Sequence, residues 1–112
     1  MDDFSAYGLP HIKAEVNFLR TDDGGKNCPV RSGYRPNHLV KDDYLTSGTH
    51  QYLDKEWVYP GETACANIWF IMPEVYPHTM WPGRIFNLQE ASRVVGTVKV
   101  LEVYEETLKA IP

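Results

Sequence analysis

An all-β fold, a small antiparallel barrel or sandwich, is what the sequence predicts, and three observations carry that reading. Alternation with period two recurs along the chain, whereas an apolar pattern at i, i+3, i+4, i+7 is nowhere sustained. Eight Gly and eight Pro punctuate six or seven short segments at near-regular spacing. The length, 112 residues with 43% hydrophobic content, suits one domain that hides roughly two-thirds of the surface its unfolded form exposes. A barrel at 12–103, an N-terminal extension at 1–11 and a C-terminal tail at 104–112 are the expected parts.

The first segment places Ile12, Ala14, Val16 and Phe18 on one face and Lys13, Glu15 and Asn17 on the other, the pattern of a half-buried strand. Asp22-Asp23-Gly24-Gly25 ends it, since two glycines adopt positive φ at little steric cost. A second turn is expected at Gly33-Tyr34-Arg35-Pro36, and a short strand at Leu39 to Lys41 closed by Asp42-Asp43. Thr49 to Leu53 reads as another strand. Val58-Tyr59-Pro60-Gly61 is a turn in which Pro presets φ and Gly takes the left-handed position. From Thr63 to Met72 both alternating faces are mostly apolar, so this strand should be covered on both sides. Pro73, Pro77 and Pro82 then impose a loop that is unusually apolar, carrying Tyr76, His78, Met80 and Trp81. Strands at Arg84 to Gln89 and Arg93 to Val103 flank a turn at Glu90-Ala91-Ser92, and the tail from Tyr104 forms one helical turn or frays.

Familiar catalytic constellations are missing from the sequence. It has no phosphate-cradling G-x-x-x-x-G-K-[ST], no G-x-G-x-x-G, no H-E-x-x-H and no G-x-S-x-G. His11, His38, His50 and His78 lie at separations unlike a local ligand pair and read as hydrogen-bonded surface or loop residues. Cys28 and Cys65, with no C-x-x-C, exclude a zinc ribbon and read as half-buried strand residues. No cofactor or metal is expected. An enzyme using Asp42, Asp43, Glu90 and a histidine has only the presence of titratable groups behind it. The acidic opening lacks the basic and apolar regions of a secretory signal, so a cytoplasmic protein without a membrane role is expected.

Charge is unevenly placed. The net charge is -4, yet Arg20 to Lys41 holds five cations against two acids while the remainder carries a balance of -7. Tyr34 and His38 interleave with those cations, a mixture able to touch a phosphate backbone and stack on a base or sugar. The alternative is a solvated loop in which Arg pairs with nearby carboxylates.

Four ordered signatures give the chain a family resemblance. Lys13-Ala14-Glu15-Val16 through Asp23-Gly24-Gly25, then Gly33-Tyr34-Arg35-Pro36, Val58-Tyr59-Pro60-Gly61-Glu62, and Gly83 to Glu90 with Arg93-Val94-Val95-Gly96 resemble the third, C-terminal barrel domain of bacterial elongation factor Tu. The resemblance covers about Ile12 to Val103. It implies a six-stranded antiparallel Greek-key barrel and a role beside the T-stem of aminoacyl-tRNA. GTP binding is not expected, because in that family it belongs to a separate domain outside the resemblance, and fold alone transfers no function.

Residue by residue, the resemblance places RNA contacts at Lys26-Asn27, Arg35, Asn37, Thr46, Glu90 and Ala91. Lys26-Asn27 stand where the family has Arg-His, Asn37 where it has Gln, and Ala91 where it has Gly. Lys for Arg keeps the charge but loses the planar fork, and a Cβ at Ala91 limits close approach of a backbone. The expectation is therefore a non-catalytic binding module for tRNA-like RNA or a translation-related partner. The competing expectation is a protein-interaction adaptor, or elongation-factor mimic, using exposed Tyr76, His78, Met80 and Trp81 as an anchor. In that case the loop from Pro73 to Pro82 stays outside; if it folds back, it plugs one end of the barrel.

Overall fold

A computed structural model describes residues 4–111. Its core is a closed barrel of six antiparallel strands. In chain order the strands are β1 (Ile12–Phe18), β2 (Val30–Arg31), β3 (Asn37–Lys41), β4 (Tyr44–Tyr52), β5 (Trp57–Val58), β6 (Thr63–Phe70), β7 (Ile85–Glu90) and β8 (Arg93–Val103). Around the barrel the order is β1-β6-β4-β3-β7-β8, and β1 closes it by pairing with both β6 and β8. The two-residue strands β2 and β5 pair only with each other and form a small flap outside the barrel.

Alternation dictates the interior. Ile12, Ala14, Val16 and Phe18 of β1 face Ala64, Ala66, Ile68 and Phe70 of β6, all buried. Val98 and Val100 of β8 and Phe86 and Leu88 of β7 complete the apolar wall. Burying such side chains stabilises the fold by roughly 1.5–3 kcal/mol each. Small residues are needed where strands crowd: a Cβ at Gly48 would stand 2.9 Å from His38 Cε1 and 3.1 Å from the Trp69 carbonyl oxygen.

Two departures from the strand expectations have physical reasons. β4 begins at Tyr44 rather than Thr49 because the tight Asp42-Asp43 turn, with Asp43 at φ 57°, folds it straight back onto β3. The flap strands are too short to show any alternation, so pairing of Val30 with Val58 and Arg31 with Trp57 is a tertiary event.

The loop from Pro73 to Pro82 folds back, which corrects the expectation of an exposed Tyr76 and Met80 anchor. Both side chains are fully buried. The Tyr76 hydroxyl donates to the Ile71 carbonyl (2.6 Å), and its ring meets Phe70 edge-on with centroids 6.2 Å apart. Burial pushes the Tyr76 phenol up to about 12. The Met80 and Ala110 amides exchange bonds with the Leu108 and Met80 carbonyls, and the His78 amide donates to Thr107. A 3-10 turn at Glu106–Leu108 buries Leu108, so the described tail seals this end of the barrel instead of fraying.

Candidate functional site

The opposite end of the barrel gathers most of the residues singled out from sequence. A 3-10 turn at Thr21–Asp23 leads into Gly24, whose φ of 93° needs a glycine. Arg93, at the start of β8, donates Nε–H to the Gly24 carbonyl (3.0 Å) and a second N–H to the Gly25 carbonyl. The Gly25 amide donates to Arg20, and the Thr21 hydroxyl to the Lys26 carbonyl. These bonds pin the loop over the β7–β8 turn.

There the Lys26 ammonium reaches a Glu90 carboxylate oxygen at 2.5 Å, and the Tyr34 hydroxyl donates to the same oxygen at 2.7 Å. Lys26 Nζ also lies 5.3 Å from the Tyr34 ring centroid, close enough for a cation–π contact. Three chain segments, separated by up to 64 positions, thus share one carboxylate. Burial opposes the Glu90 charge, but the Lys26 and Tyr34 bonds and the Lys26 and Arg93 charges outweigh it, holding its pKa below the ordinary value. Burial, then the bond to Glu90, keeps the Tyr34 phenol protonated and therefore a donor.

Beside this cluster lies an outward strip of barrel wall. Asn37 of β3 stands opposite Ser47 of β4 and Gln89 of β7. Exposed Arg35 donates Nε–H to the Thr49 hydroxyl at 3.2 Å, and no carboxylate pairs with its guanidinium among the described residues. Asn27 is exposed on the loop. Ala91 is exposed at the turn with φ 53°, a left-handed position that favours glycine.

Thr46 is not on this strip, and its expected RNA contact is corrected. It opposes His38 in the ladder, is 8% exposed, and its hydroxyl bonds the Tyr76 hydroxyl at 3.2 Å. Ser47, one residue on, is the half-exposed side chain that faces outward opposite Asn37. The signal was available, because strand parity separates neighbours to opposite faces. It needed the start of β4 to be placed correctly.

The histidine expectation is also corrected. His38 and His50 are fully buried in the barrel and bonded to each other, Nε2 to Nε2, at 2.8 Å. His38 Nδ1 faces the Thr46 carbonyl oxygen, so it carries the proton and its Nε2 is an acceptor. His50 must then donate from Nε2 and accept at Nδ1 from the Tyr52 hydroxyl, 2.9 Å away. Tyr52→His50→His38→Thr46 is a one-directional chain in which both imidazoles are neutral and fully satisfied. Burial pushes His38 down to about 4 and His50 well below its ordinary value, the latter also through His38. The Tyr34 ring meets His50 edge-on at 5.9 Å, which joins this buried chain to the Lys26–Glu90 surface cluster. His38 is therefore unavailable for stacking on a nucleic acid.

Other sequence candidates stay apart. Asp42 and Asp43 form the β3–β4 turn, whereas Glu90 ends β7 beyond the opposite end of β3, so no carboxylate cluster forms. His78 and Trp81 are exposed beside the sealed end, with Trp81 held against the Arg84 guanidinium. Cys28 is exposed in a loop rather than on a strand, and Cys65 is half-buried in β6. Among the described residues, no group of three or more His, Cys, Asp or Glu could hold a metal ion, and no helix is long and apolar enough to cross a membrane. Compared with protein-family models, the chain matches none.

Proposed function

We propose that this chain is a non-catalytic binding module for the stem of a tRNA-like RNA, related to the third barrel domain of elongation factor Tu. The observation that carries the reading is the convergence of Lys26 and Tyr34 on one Glu90 carboxylate oxygen, beside Arg35, Asn37 and Ala91. Those positions come from separate signatures of the resemblance. Their meeting on one surface supports their use together. The strip offers the exposed Arg35 guanidinium, which no carboxylate pairs among the described residues, the Asn37 amide and the Ser47 hydroxyl, while Thr49 and Gln89 lie buried beneath them. Such a mixed polar surface suits the wide, shallow minor groove of A-form RNA, which proteins read through 2′-hydroxyl and phosphate contacts.

Fluorescence anisotropy with a labelled RNA hairpin tests the proposal. Binding should weaken steeply with salt, by a logarithmic slope of about -0.7 to -0.9 per phosphate contact. Lys26→Glu with Arg35→Glu should abolish it while thermal melting shows a folded protein. Salt-insensitive binding, or full affinity in the folded double variant, would refute the RNA reading.

Protein recognition is the second reading, favoured by the 47% exposure of Trp81 and 61% exposure of Ile85 at the sealed end. Trp81→Ala with unchanged melting and loss of a protein partner would support it.

A further inference from the structure

The β2–β5 flap carries a feature that borders the proposed RNA-stem surface. Arg31 pairs across the flap with Trp57, and its guanidinium carbon lies 5.3 Å from the Trp57 ring centroid. Stacking holds the planar cation in place while leaving its N–H edges free. No carboxylate pairs with Arg31 among the described residues. Next to it is an open depression of about 670 Å³, walled by Trp57, Tyr34, Pro29, Lys26 and Arg31. That is within the range of small-ligand sites, roughly 300–1,000 Å³.

The walls specify a ligand. Trp57 is 41% exposed, too open for a core residue and held in place by the flap. Flat walls of Trp57, Tyr34 and Pro29 suit a planar ring, and the Arg31 guanidinium suits an anion attached to it. Glu90 is bonded to Lys26 and Tyr34 at one side of the depression, and Glu56 shares the neighbouring depression with Arg31. A ring with a phosphate is a nucleotide. We infer that this depression captures one unpaired nucleotide adjoining a bound RNA stem, its base against Trp57 and its phosphate at Arg31. The inference rests on the RNA reading and adds an unpaired base to what would otherwise be recognition of duplex shape. Base–aromatic stacking tolerates any sequence, and a purine gives the largest π surface.

Three labelled hairpins with one common stem provide the test: blunt, extended by one unpaired adenosine, and extended by one abasic residue. Adenosine should strengthen binding about tenfold over the blunt stem, and the abasic residue should lose most of that gain. Trp57→Leu should remove the gain and leave affinity for the blunt stem unchanged. The abasic comparison uses the unaltered protein, so it holds whether or not that variant folds. Equal affinity for all three RNAs, or an equal gain from the abasic and adenosine extensions, would overturn the inference and leave the stem reading standing. Failure of all three to bind at low salt would overturn the stem reading and the inference with it.

Discussion

The two ends of the barrel are closed by different physics. At the end where β7 begins, Tyr76, Met80 and Leu108 are wholly buried, and backbone bonds tie the loop to Thr107, Leu108 and Ala110. At the end where β7 finishes, closure depends on one carboxylate shared by Lys26 and Tyr34, with the Lys26 side chain 15% and the Glu90 side chain 37% exposed. Apolar closure withdraws its groups from recognition. Polar closure leaves charged and hydrogen-bonding groups within reach of a partner at a smaller gain in stability, because water screens a half-exposed pair. The apolar end therefore holds the fold together, and the polar end is the one the proposed binding would use.

The largest effect should come from the sealed end. Tyr76→Ala should cost about 3–5 kcal/mol, by analogy with other large aromatic truncations, and leave the Thr46 hydroxyl with only its longer bond to the Ile71 carbonyl. Urea melts would show this as a lower midpoint with the slope retained. A loss below 1 kcal/mol would mean that the loop is not part of the core.

The buried histidines connect the two ends and should give the next largest effect. Their folded pKa values lie below the unfolded value, so the unfolded chain binds more protons as pH falls. Stability is then full above about pH 6.5 and declines toward pH 4. His38 alone should cost about 2 kcal/mol between pH 7.5 and pH 5. A stability curve flat over that interval would contradict the neutral, one-directional chain.

Breaking the polar end should cost less. Glu90→Gln removes the charge that Lys26 and Tyr34 share, and about 1 kcal/mol is expected after allowing for solvent screening. A cost equal to that of Tyr76→Ala would erase the distinction between the ends. The smallest effect is a gain: Ala91→Gly should stabilise by about 0.5–1 kcal/mol, because glycine accepts φ 53° without strain. A loss in the same denaturation experiment would show that the turn tolerates its alanine for another reason.

Much of the fold was legible in the chain because strand alternation is local. β1, β6, β7 and β8 lie within two residues of their expected bounds, and Gly24 and Gly61 take the positive φ foreseen for their turns. The candidate site was half legible. Lys26, Arg35, Asn37, Glu90 and Ala91 came from short signatures, and they do share one region of the surface. Thr46 failed by a single residue of parity, which reversed its face. Tyr76 and Met80 were rightly seen as anomalous in a loop, yet composition cannot say whether such side chains turn outward or into the core.

Period-two patterning, turn chemistry and length were sufficient for an all-β domain with these strands, since each depends on neighbours a few positions apart. The choice between a sealing loop and an exposed one depended on the barrel end that Tyr76 and Met80 fill, and on the tail that pairs with them. The His38–His50 chain likewise required β3 and β4 to face each other across Gly48, the one residue small enough to admit His38 beside Trp69. Sharing of the Glu90 carboxylate joins positions 64 and 56 residues apart. Contacts of that range come into being only when the barrel closes, because only closure offsets the entropy of bringing distant segments together.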